Sequence, residues 1–150
     1  MKKILFLIGA LSCSGAYAEV FTGTITYVFD GISGVVPFSV EEGKEISLKD
    51  NFSMTPYTSA IVRGEKKTEI FRQGGDFTIQ LRSQGDSNVL TAYSLKLTRL
   101  ESMNSFSVQK YGIDLPTSRH VENGGHDILT RGVKHTVYDN YNAMVTVLIN

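Results

Sequence analysis

Val20-Phe21-Thr22-Gly23-Thr24-Ile25-Thr26-Tyr27-Val28-Phe29 places Phe21, Gly23, Ile25, Tyr27 and Phe29 on every second position, with threonine or valine between them. A period of two is the mark of a half-buried β-strand, whose alternate side chains all point to one face. Such a strand needs an apolar groove to lie in. The groove can belong to another molecule or to the strand's own sandwich, and the alternation by itself fits both.

What precedes the strand reads as an export signal. Lys2 and Lys3 form a positive start, Ile4 to Leu11 an apolar stretch and Ala16-Tyr17-Ala18 a small-residue cleavage site, the three parts of a secretory leader. The apolar stretch falls well short of the roughly 20 residues that cross a bilayer. Cleavage before Cys13, as in a lipoprotein, would put Leu11 in an unfavourable place, so residues 1–18 are expected to leave and Glu19 to begin the mature chain. Losing Lys2 and Lys3 from 15 basic residues leaves 13 against 15 acidic ones, a net charge of −2, and removes the single cysteine. Neither a nucleic-acid footprint nor a disulfide framework follows from that composition. About 130 residues make one domain that can bury a core unaided.

Beyond residue 30 the apolar period stays at two. Phe77, Ile79 and Leu81 alternate with polar neighbours, as do Val89, Tyr93, Leu95 and Leu97. Shorter signals lie at 37–40, 45–48, 59–63, 68–71, 105–111, 126–129 and 133–138. Gly31-Ile32-Ser33-Gly34, Glu42-Gly43, Gly74-Gly75-Asp76, Gly85-Asp86-Ser87-Asn88 and Asn123-Gly124-Gly125 read as the intervening turns, because they hold residues that tolerate positive φ. Many short strands with such spacing predict an all-β, antiparallel sandwich of immunoglobulin-like type over 31–150. The other strong alternation is Tyr141, Ala143, Val145, Val147 and Ile149. A strand this apolar must be covered on its edges, since an open one invites aggregation.

The two patterned ends together resemble the pilin subunits of the bacterial chaperone-usher pathway. The likeness rests on Phe21 to Phe29, on the ending Tyr141-Asn142-Ala143-Met144-Val145-Thr146-Val147-Leu148-Ile149-Asn150, and on length and strand rhythm. Without a cysteine pair the chain is most similar to the enterotoxigenic colonisation-factor branch. The resemblance implies an incomplete sandwich, missing its final strand and completed by donor-strand complementation. It makes 19–30 an N-terminal extension, with Phe21, Gly23, Ile25, Tyr27 and Phe29 entering a partner's groove. Tyr141, Ala143, Val145, Val147 and Ile149 would line the acceptor groove and meet the chaperone. The implied partners are a periplasmic chaperone, an outer-membrane usher, other copies or a sister pilin, and a host-cell receptor. The implied destination is a fimbrium at the cell surface.

Chemistry-bearing motifs are sparse. His120, His126 and His135 have spacings that match no standard zinc site, and no G-x-S-x-G elbow occurs. No catalytic residue, metal ligand or cofactor is assigned. Arg63, Lys66, Lys67 and Arg72 mix with Glu65 and Glu69, the pattern of a solvated strand face. The rival reading is a monomeric secreted or periplasmic β-sandwich binding module, or a small secreted enzyme inhibitor. An enzyme would require His120 or His126 to meet carboxylates such as Asp114, Glu122 or Asp127.

Overall fold

A computed structural model describes residues 18–108 and 111–150; the leader assigned to 1–18, including Cys13, lies outside the described residues except for Ala18. The chain is all-β, two antiparallel four-stranded sheets packed as a sandwich. One sheet holds β1 (Val20–Phe29), β2 (Ile32–Glu41), β7 (Lys134–Asn140) and β8 (Ala143–Ile149) in the order β2-β1-β8-β7. The other holds β3 (Glu45–Val62), β4 (Glu65–Gln84), β5 (Asn88–Val108) and β6 (Tyr111–Thr130) in sequence order.

Every hydrogen-bonded strand pair except β1/β8 joins consecutive strands. This is a meander closed end to end, and it differs from the immunoglobulin-type arrangement, whose strands are linked by Greek-key connections. Local turns account for the difference. Asp30 and Gly31 take φ of 46° and 83°, and Arg63 and Gly64 take 52° and 84°, the paired positive values that make two-residue hairpins and force neighbouring strands together.

The alternating residues behave as their period predicts. Phe21, Ile25, Tyr27 and Phe29 from β1 meet Val36 and Phe38 from β2 and Val145 and Val147 from β8, and across the core Phe77, Ile79, Leu81, Leu95 and Leu97. Fully burying each of these large side chains contributes about 1.5–3 kcal/mol before ordering costs.

Strands β3 to β6 are far longer than their apolar signals. Gly74-Gly75-Asp76 and Asn123-Gly124-Gly125, expected as turns, lie inside β4 and β6. Gly74 is needed for another reason: its φ is +143°, and a Cβ there would overlap the Asp50 carbonyl. Pairing of β4 with β5 ends at Gly74 and Thr98. Beyond that fork β3/β4 and β5/β6 continue as separate two-stranded ribbons to Val62/Glu65 and Val108/Tyr111. Bulges at Asn51/Ser53 and Leu100/Ser102 sit beside the fork, and bulges bend and twist the strands that carry them. Among the described residues, none from 51 to 73 or from 99 to 121 is buried.

Candidate functional site

The two sets of residues that the sequence singles out come together within one chain. Strand β1 lies antiparallel to β8 with Gly23 opposite Ile149, Ile25 opposite Val147, Tyr27 opposite Val145 and Phe29 opposite Ala143. Its other edge pairs with β2, Phe21 opposite Val40 through Phe29 opposite Ile32. Residues 20–29, expected as an extension for a neighbour, therefore lie beside the C-terminal strand of their own sandwich. Tyr141 precedes β8 and is 99% exposed, outside the groove. The physical reason is short-range: the Asp30-Gly31 hairpin returns β1 onto β2, and the apolar faces of β1 and β8 bury each other.

Three contacts hold this arrangement. Gly23 is a point of close approach, because a Cβ there would overlap the Leu148 carbonyl oxygen and lie 2.9 Å from Phe38 Cε1. Tyr27 donates its hydroxyl to Asp50 Oδ2 at 2.7 Å, tying one sheet to the other; burial first, and then that carboxylate, push the phenol far above its usual range. The hairpin turn is clasped from the opposite sheet. Arg119 reaches the Asp30 carboxylate at 3.1 Å and Glu101 at 2.6 Å, Arg99 donates to the Asp30 carbonyl, and the Asp30 amide donates to the Asn142 carbonyl.

At the opposite end of β1, Glu19 pairs with Arg131 at 2.7 Å, and the Arg131 guanidinium stands 4.8 Å over the Phe21 ring. The Arg131 bond holds the Glu19 carboxyl below its ordinary range. The residue expected to begin the mature chain is thus part of the folded edge.

The outer face of the four-stranded sheet carries the other organised surface. Register aligns Lys49, Asp76, Lys96 and Glu122 in one row across β3, β4, β5 and β6, alternating in sign. The next row is Ser47, Thr78, Ser94 and Gly124, and the one after it Glu45, Gln80, Ala92 and His126. Small side chains between the first row and the third, whose members are all longer except Ala92, leave a trough of about 630 Å³. Lys96 and Glu122 pair at 2.7 Å. That bond raises the lysine and lowers the carboxyl, so both stay charged over the ordinary pH range. The trough shares Asp76 and Lys96 with a second hollow of about 360 Å³ at the fork. On its other side it shares Thr78, Ser94 and Gly124 with a hollow of about 200 Å³ beside His126. Sequence reasoning missed this face, because its residues are scattered over 80 positions and only the register joins them.

The ribbons beyond the fork are tied by Asp114. Its carboxylate accepts from the Thr58 amide at 2.8 Å and the Ser105 hydroxyl at 2.6 Å. These two bonds, the hydroxyl first, hold its pKa below the usual carboxylate range. His120 and His126 stand exposed on β6, and His135 accepts from the Thr130 amide at 2.9 Å. Among the described residues no group of three or more histidines, cysteines and carboxylates is placed to hold a metal. No protein family, no curated protein and no solved structure matches the chain.

Proposed function

We propose that the mature chain is an exported, non-catalytic binding module that works as a self-contained unit, outside the cytoplasm. One observation carries the reading: β1 fills its own groove, paired on both edges and clasped at Asp30. A subunit whose first strand is paired within itself does not offer that strand to a neighbour. The experiment is the oligomeric state of purified residues 19–150, measured by light scattering before and after unfolding and refolding at high concentration. A monomer throughout supports the module. A ladder of detergent-resistant oligomers overturns it.

That ladder would favour a second reading, the fimbrial subunit implied by the resemblance, structural and adhesive, attaching to host cells. Its support is the antiparallel placement of β1 beside β8, where the pilin mechanism puts a donor strand. Exchange between identical copies would remake the same contacts in trans, as in domain swapping. It would first have to open the Asp30-Gly31 turn and withdraw Phe21, Ile25, Tyr27 and Phe29. On this reading a chain lacking residues 19–30 stays soluble when a periplasmic chaperone is supplied but does not polymerise through an usher. On the module reading it precipitates.

A further inference from the structure

The proposed binding module needs a surface and a ligand, and the trough on the outer face of β3 to β6 is the surface whose chemistry narrows the choice. We propose that it binds a neutral oligosaccharide, taking an internal stretch of the chain across the four strands; this rests on the module reading.

The size is suitable, since small-molecule sites commonly span roughly 300–1,000 Å³ and the trough holds about 630 Å³. The trough runs between rows that cross the sheet and ends at its edge strands, β3 and β6, which suits a segment within a polymer better than an isolated terminal sugar.

The row Lys49, Asp76, Lys96, Glu122 sets donors and acceptors alternately on adjacent strands, about 4.8 Å apart. Ammonium groups only donate and carboxylates only accept. Lys96 pairs with Glu122 at 2.7 Å and Asp76 with Arg72 at 3.6 Å, which leaves each ammonium further N–H donors and each carboxylate further lone pairs. A vicinal diol can both donate and accept, so each neighbouring lysine and carboxylate can engage one diol with that remaining capacity. Ser47, Thr78 and Ser94 beside that row can donate or accept as the ligand requires, and Gly124 leaves the β6 end of the floor without a side chain.

The same row argues against other occupants. An anionic polymer would meet Asp76 and Glu122 as often as the two lysines, and a cationic one the reverse. A membrane would require an apolar surface. A second copy related by a two-fold axis would set concave face against concave face and leave the troughs facing each other empty.

The test records amide NMR shifts of residues 19–150 on adding linear cello-, malto- and chitohexaose singly, with a heparin hexasaccharide for comparison. Binding of at least one neutral sugar at up to about 10 mM, with shifts centred on Ser47, Thr78, Ser94 and Gly124, is expected. Ser94→Tyr, which fills the floor, is expected to weaken it by roughly tenfold or more. Ser39→Tyr, on exposed β2 of the other sheet, is expected to leave it unchanged. Silence with all three neutral sugars, shifts centred elsewhere, tighter binding of heparin, or indifference to Ser94→Tyr overturns the proposal. A monomer that ignores every sugar ends this inference and leaves the module standing. A polymerising chain ends the module reading through its oligomeric state, whatever the sugar titration gives.

Discussion

Gly23→Ala puts a single methyl group where β1, β2 and β8 come closest. In an ordered strand with room for a methyl group, replacing glycine by alanine stabilises by about 0.4–1 kcal/mol, because the unfolded chain loses more freedom than the folded one. In the groove described above, the new Cβ overlaps the Leu148 carbonyl oxygen and stands 2.9 Å from Phe38 Cε1. The carbonyl is backbone held by pairing, and the ring is packed in the core, so neither can yield without cost. Overpacking of this kind costs about 1–3 kcal/mol, and it outweighs the entropic gain. For a domain of this size each kcal/mol moves the melting temperature by about 4 °C. With the entropic gain subtracted, urea and thermal unfolding of residues 19–150, followed by circular dichroism, should therefore show a melting temperature lower by about 5 °C, and by at most about 10 °C. No change is expected if residues 19–30 hang free, because the substitution then alters the folded and unfolded chains alike. An unchanged or raised melting temperature would refute the cis placement of β1.

Tyr27→Phe removes the hydroxyl that reaches Asp50 and should lower stability by about 1.5–3 kcal/mol, the range for hydrogen bonds to charged groups. Because the folded phenol is held far above its ordinary value, stability is fully present below the unfolded tyrosine pKa of about 10 and is lost as pH rises above it; Tyr27→Phe should flatten that alkaline loss. The Asp114 clasp titrates in the other direction. Its carboxyl is depressed in the folded chain, so its contribution is present above the unfolded value near 3.9 and is lost as pH falls through the folded one. The protection of the Thr58 amide, the intrinsic exchange rate at the same pH divided by the observed one, should fall on acidification below about pH 4, and Asp114→Asn should lower it already at neutral pH.

Where one face of a strand meets the core, the sequence was readable. Phe21 to Phe29, Phe77 to Leu81, Val89 to Leu97 and Ala143 to Ile149 announce themselves by alternation, because burial on one side is what alternation records. The ribbons carry only the short signals at 59–63, 68–71 and 105–111. Among the described residues from 51 to 73 and from 99 to 121 none is buried, so the sequence shows short strands there and not the continuous β3 to β6. Glycine misleads at the fork and in the four-stranded sheet: Gly74 serves a close approach to the Asp50 carbonyl, and Gly124 lies in a trough floor. The partner of β1 was undetermined for a deeper reason. Alternate apolar residues fit a groove of the right depth in any molecule, and the choice falls to Asp30 and Gly31, whose positive φ values close the hairpin onto β2. The charged row across the outer sheet was illegible because it exists only as a register.

Val28 and Met144 face each other across the β1/β8 pair and are 41% and 42% exposed. The one cysteine of the sequence, Cys13, lies outside the 19–150 chain, so Val28→Cys with Met144→Cys creates one reporter of where β1 lies. Mild oxidation of that variant in the 19–150 chain should give a monomer closed by an internal disulfide on a non-reducing gel. Disulfide-linked ladders would place β1 in a neighbour, and free thiols would place it in solvent; either result contradicts a sandwich completed by its own first strand.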